Sequence, residues 1–142
     1  MKNLHNLINK ALQFHKEGKI QDAISLYSNV IESQKNDPQL LFLLGTAYIQ
    51  LGKTEQGIEQ LKKSIFLKPK NAFAYSNLGN ALKDLKRYDE ALASYDKAIQ
   101  INPNYADIYN NRGSILKNLR RYDEALASYD KAIRIKSDHA YA

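Results

Sequence analysis

The sequence of 142 residues has no cysteine and no tryptophan, three prolines and six glycines. Without a thiol there can be no disulfide, no thiolate metal ligand and no cysteine nucleophile. Little Pro and Gly beside abundant Ala, Leu, Ile and Lys is a helix-forming composition. A long apolar run is also missing. The least charged stretch, residues 38–52, contains Gln39, Thr46 and Gln50 and is shorter than the roughly 20 residues that a membrane-spanning helix needs, so it reads as a buried helix. Residues 2–10 are polar every second or third position and carry no continuous apolar segment of the signal-peptide kind. With 44% apolar and 25% charged residues, the chain has the composition of a folded soluble domain rather than a disordered one. A cytoplasmic location is the expectation, with no membrane contact.

Chemistry-bearing constellations are equally scarce. His5, His15 and His139 show no metal-ligand spacing, so a surface role is expected for each. The glycines are single and make no phosphate-cradling loop. The pairs Asp89-Glu90 and Asp123-Glu124 open helical runs, where the helix dipole favours anions. Nothing indicates the desolvated carboxyl that a general acid requires. The reading is therefore of a protein that is not an enzyme, with no catalytic residue, no cofactor and no metal.

Net charge is +6, but it is spread out. Residues 4–37 are neutral, 38–71 carry five basic and two acidic side chains, 72–105 are neutral, and 106–139 carry seven basic and five acidic side chains. A nucleic-acid module shows a denser basic stripe. Nucleic acid is not an expected partner, and RNA recognition by a helical repeat is the weaker alternative.

What the sequence does contain is an internal repeat. Residues 88–99, from Tyr88 to Ile99, recur letter for letter at 122–133, an offset of 34. Carried along the chain, that period gives four registers, 4–37, 38–71, 72–105 and 106–139, with residues 140–142 opening a truncated fifth. Ala11, Gly45, Gly79 and Gly113 share one column; Ala23, Gly57, Ala91 and Ala125 share another; Tyr27, Leu61, Tyr95 and Tyr129 share a bulky one. Lys35, Pro69, Pro103 and Ser137 close the registers. Each register holds two helical runs, 72–85 and 88–101 in the third. Small residues at fixed positions let paired helices approach while bulky ones fill the gap. Short turns fall at Gly18-Lys19, Gly52-Lys53 and Lys86-Arg87. Asp37 followed by Pro38 reads as an N-cap with proline at the first helical position.

This pattern resembles the tetratricopeptide repeat family over residues 4–139. The third register carries the signature as Tyr75, Leu78, Gly79, Leu82, Ala91, Tyr95, Ala98 and Pro103. The fourth departs at Arg112 and Ser137. The first departs at Lys10, Ala11 and Lys35, in keeping with an end unit that faces water on one side. The resemblance implies an all-α fold, a right-handed superhelical solenoid of antiparallel helix pairs forming a single domain over 1–142. It also implies a protein-interaction scaffold that takes a peptide or protein segment in a concave groove lined by the first helix of each repeat.

Carried over by position, the groove would present Ile8, Asn9 and Leu12, then Phe42, Leu43, Thr46 and Ile49. It would continue with Phe73, Ser76, Asn77 and Asn80, then Asn110, Asn111 and Ser114. Of these, Asn9, Phe42, Leu43, Phe73, Asn77, Asn80, Asn110 and Asn111 are the expected partner-binding residues. Asn9, Asn77 and Asn111 share one column, interrupted by Leu43. A side-chain amide both donates and accepts, so it can pair with an extended peptide backbone of any sequence. The series resembles the asparagine ladder of repeat domains attached to O-linked N-acetylglucosamine transferases. The chain could therefore alternatively be the N-terminal substrate-recruiting arm of a larger enzyme, as in bacterial proteins of that style. Ile8, Leu12, Phe42, Leu43 and Ile49 would make the first half apolar, although Leu12 reads better as a packing residue. The lysine and arginine positions of the family's carboxylate clamp hold Ile8, Phe42, Phe73 and Asn77, so that clamp is absent. A last apolar face of Leu126, Tyr129 and Ile133 lacks a following helix, so a homo-oligomer through the C-terminal helix pair is a further expectation.

Overall fold

The structure is a computed structural model that describes residues 2–140, and those residues form eight α-helices and no strand. The helices are α1 (Lys2–Lys16), α2 (Ile20–Ser33), α3 (Pro38–Gln50), α4 (Thr54–Leu67), α5 (Ala72–Asp84), α6 (Tyr88–Ile101), α7 (Ala106–Asn118) and α8 (Tyr122–Ala140). Each 34-residue register supplies one pair. Packing gathers them into two compact units, Met1–Pro69 with α1 to α4 and Lys70–Ala142 with α5 to α8. Among the described residues no helix is long and apolar enough to cross a membrane.

Local chemistry sets the helix ends. The Asp37 carboxylate accepts hydrogen bonds from the Gln39 and Leu40 amides at 2.9 and 3.3 Å, with Pro38 at the first helical position of α3. Asn71 caps α5 by accepting from the Ala74 amide at 3.2 Å. Such a cap is worth about 1 kcal/mol. The four turns inside the pairs share one geometry. In the first, the Lys19 amide donates to the Phe14 carbonyl and the Gly18 amide to the His15 carbonyl. The same two bonds recur at Gly52-Lys53, Lys86-Arg87 and Arg120-Arg121. This motif needs a left-handed residue at its centre. Gly18 and Gly52 take it at φ of 81° and 87°, but the later turns place Lys86 and Arg120 there, at 60° and 61°.

The core of the N-terminal unit gathers Tyr27, Val30, Leu40 and Leu44 around Ala11, Ala23 and Ala47. In the C-terminal unit Leu82, Tyr95, Ile108, Ile115 and Leu116 are fully or almost fully buried. The small-residue column is a steric requirement. A methyl group on Gly79 would lie 2.6 Å from the Tyr95 ring. Ala11, in the same column, is itself completely buried.

Two features depart from the repeat pattern. No proline stands at Ser137, and α8 runs through that position to Ala140 without a break. The expected opening of a fifth repeat therefore begins inside α8, and residues 141 and 142 lie outside the described residues. At Arg112, where the family pattern is apolar, the guanidinium bonds Asp96 of α6 at 2.9 Å and the Ser128 hydroxyl of α8 at 2.7 Å. The substitution thus ties α7 to both of its neighbours.

The twin segments 88–99 and 122–133 show what a neighbour does. Leu92 in α6, which has α7 packed against it, is 8% exposed, while its copy Leu126 in α8 is 60% exposed.

Candidate protein-binding face

In the C-terminal unit the first helices of the two repeats, α5 and α7, lie side by side. The Asn111 amide donates to the Asn80 carbonyl oxygen at 3.0 Å, and the Tyr95 hydroxyl donates to that same oxygen at 2.5 Å. Near the helix N-termini the rings of Phe73 and Tyr105 meet edge to face, with centroids 5.6 Å apart. The Phe73 ring is nonetheless 61% exposed. Asn77, Asn80, Asn110 and Asn111 are half-buried. The face therefore combines an open aromatic end with a patch of four amides. Ser76, expected on this face, is buried, because the helix turns its hydroxyl inward with Ala72 and Gly79.

The Asn80 carbonyl serves two donors. Its own amide group and the Asn111 carbonyl have no protein partner among the described residues, so both kinds of hydrogen bond remain on offer. Burial pushes the Tyr95 phenol well above its ordinary pKa, and the negative charge of Asp84 adds to the effect. Tyr95 is therefore a neutral donor, and it holds the Asn80 side chain from below.

The N-terminal unit solves the same problem differently. Leu12 and Leu43 occupy the columns of Asn80 and Asn111. The buried Tyr27 hydroxyl instead pairs with His15 Nδ1 at 3.1 Å, and His15 Nε2 pairs with the Gln50 carbonyl oxygen at 2.5 Å. His15 is accordingly half-buried and links α1, α2 and α3, which corrects the expectation of a surface histidine. A buried phenol needs a partner, and in this unit the column of Asn80 holds Leu12, which has no polar group to offer. Burial also raises the pKa of Tyr27. Ile8 and Leu43 pack partly against the core of this unit, and Ile49 covers Gly57 so closely that a methyl there would lie 2.5 Å from its Cγ1. Phe42 is half-buried and Asn9 exposed. Leu12, expected to pack, is 39% exposed.

The structure thus joins Asn80 to Asn111, leaves Asn77 and Asn110 beside them on α5 and α7, and keeps Asn9 apart in the other unit. The residues not anticipated are Tyr95 and Tyr105, which position the face. For Tyr95 the signal was available, because a fully buried tyrosine must find a polar partner; Tyr105 is half-buried and enters through its ring contact with Phe73. Among the described residues no group of three His, Asp or Glu side chains could hold a metal ion.

Paired antiparallel helices repeating every 34 residues, with small residues at the crossing points, define a helical-repeat protein of the tetratricopeptide class. Comparison with known families agrees. A family model described as "TPR repeat" matches residues 79–119, and "Tetratricopeptide repeat" matches 106–139. A third, "Anaphase-promoting complex, cyclosome, subunit 3", a model of repeats of this type, matches residues 16–98. The chain belongs to the tetratricopeptide repeat family, whose members are protein-interaction scaffolds. No curated protein sequence matches it significantly. Among solved structures, a crystal structure of MamA superimposes with a TM-score of 0.96 at 24% identity, covering 99% of this chain and 82% of that one. A second MamA structure gives 0.92 at 24% identity, covering 98% and 76%. A MamA RS-1 double mutant gives 0.91 at 15%, covering 96% and 76%. At these identities the likeness is one of fold.

Proposed function

We propose that the α5–α7 face is where this scaffold holds a peptide or extended protein segment of its partner. The observation that carries the reading is the Asn80–Asn111 pair. It is fixed from below by a buried phenol, offers both a donor and an acceptor to a peptide backbone, and lies on the same pair of helices as the exposed Phe73 ring. Amides already held in place lose little side-chain entropy when a ligand binds. The aromatic end supplies an anchor for an apolar side chain. The helices thus serve recognition, and no catalytic step is assigned to them.

The test is capture of partners from a lysate of the source organism by the purified chain and by Asn77→Ala/Asn111→Ala. Asn80 is spared because its loss would strand the Tyr95 hydroxyl. Proteins retained by the wild type and lost by the double variant support the reading; an unchanged set of captured proteins refutes it.

A second reading is favoured by α8, where Tyr122, Leu126 and Ile133 are each more than half exposed. Three large apolar side chains on one helix are a surface for self-association.

A further inference from the structure

One position outside this face breaks the repeat in a way that packing does not explain. The column that holds Glu32, Gln100 and Arg134 holds Phe66 in the second repeat, and that ring is 86% exposed. Polar residues suit a column turned to water; a phenylalanine there leaves a large apolar area hydrated at a cost. The ring lines a concavity of about 460 Å³ together with Leu41, Leu67, Lys35, Lys62 and Lys63. That volume lies in the range of ligand-binding clefts. Leu41 is buried and forms an apolar floor.

The rim is basic. Lys63 pairs with Glu59 at 3.3 Å, while Lys35 and Lys62 have no ion-pair partner among the described residues. The register 38–71 that contributes most of the lining is also the most basic of the four. On α4, Glu59, Lys62, Lys63 and Phe66 follow one another at helical spacing, so the aromatic ring and the lysines share one stripe.

We infer that this concavity is a second docking site, for an acidic segment of another protein that inserts one bulky apolar side chain against Phe66 and Leu41. The charge pattern selects the occupant. A neutral apolar ligand would cover Lys35 and Lys62 without compensating them, and a basic one would be repelled. Lysines present mobile point charges rather than planar forks, which suits a run of carboxylates better than one fixed carboxylate. The site shares no residue with the α5–α7 face and does not depend on it.

The experiment titrates the full chain into a fluorescein-labelled peptide of Glu, Asp and Gly with one central Phe, read by anisotropy. Phe66→Gln installs the residue type of the third repeat and removes only exposed surface, so the fold is retained, as circular dichroism will show. The site predicts saturable binding that weakens by roughly tenfold or more in Phe66→Gln, in Lys35→Glu/Lys62→Glu and with a central-Ala peptide, the size expected of an anchor residue. It also predicts a steep loss of affinity with salt and unchanged binding by Asn77→Ala/Asn111→Ala. The inference is overturned if the peptide does not bind, if Phe66→Gln binds equally well, or if a lysine-containing counterpart binds as tightly. It is also overturned if Phe66→Gln instead abolishes binding to phosphatidylserine vesicles or dissociates copies of the chain in sedimentation, since the occupant would then be a membrane or a second copy.

Discussion

Replacing Gly79 with alanine in the middle of a helix should stabilise an ordinary helix by about 1 kcal/mol. Here the sign is expected to reverse. The added methyl would stand 2.6, 2.7 and 3.1 Å from three carbons of the Tyr95 ring, against a comfortable separation of about 3.5–4.0 Å. Tyr95 is fully buried, and its hydroxyl is held by Asn80, so the ring cannot swing aside cheaply. Overpacking of this kind costs about 1–3 kcal/mol, and displacing the phenol from Asn80 adds about 1 kcal/mol. After the gain in helix propensity, a net loss of about 1–3 kcal/mol remains. Gly113→Ala is the internal comparison. Its methyl would stand 2.9 Å from Tyr129, but that ring is only half-buried and can retreat, so the loss should be smaller. Urea denaturation followed by far-ultraviolet circular dichroism measures both, with the slope checked for constancy. If Gly79→Ala is as stable as the parent or more so, the account of this column as a steric requirement is wrong.

Other predictions rest on features elsewhere. In the turns, Lys86→Gly relieves a left-handed side chain at a cost of about 1 kcal/mol and should be neutral to mildly stabilising, whereas Gly52→Ala should lose about 1 kcal/mol; thermal melts of the two variants decide this. Tyr27 and Tyr95 have phenol pKa values raised by burial, so their contribution to stability is fully present below the unfolded tyrosine value of about 10. It is lost as pH rises through the folded values, and alkaline unfolding that begins near the unfolded value and is delayed by Tyr27→Phe would show it, as read by the ultraviolet absorbance of tyrosinate. Light scattering at rising concentration should reveal association that Leu126→Lys/Ile133→Lys abolishes; a strict monomer refutes the reading of α8.

The period of 34 made most of the fold legible. The expected run 88–101 coincides with α6, α5 ends one residue before the expected 85, and Asp37 caps α3 as its position before Pro38 implied. A column shows which positions pack, because packing is selected in every repeat. It does not show bonds that join different columns. Asn111 and Asn77 share a column, yet Asn111 bonds Asn80, from another column of the preceding repeat. His15 was unreadable for the same reason, since its partners Tyr27 and Gln50 lie 12 and 35 residues away. Phe66 could have been noticed from its polar column, but the lysines around it come partly from the preceding repeat. Arg112 looked like a defect until Asp96 and Ser128 were seen beside it.

The bond between Tyr95 and Asn80 also has an optical consequence. Without tryptophan, the ten tyrosines are the intrinsic fluorophores of the chain, and their emission is not masked by a stronger indole. The emission of a phenol depends on what its hydroxyl donates to. Tyr95 donates to an oxygen on the face proposed for recognition, so under that proposal a segment that draws on Asn80 changes the light given off by a residue it never touches. The molecule carries its own label at the point where its surface meets its interior.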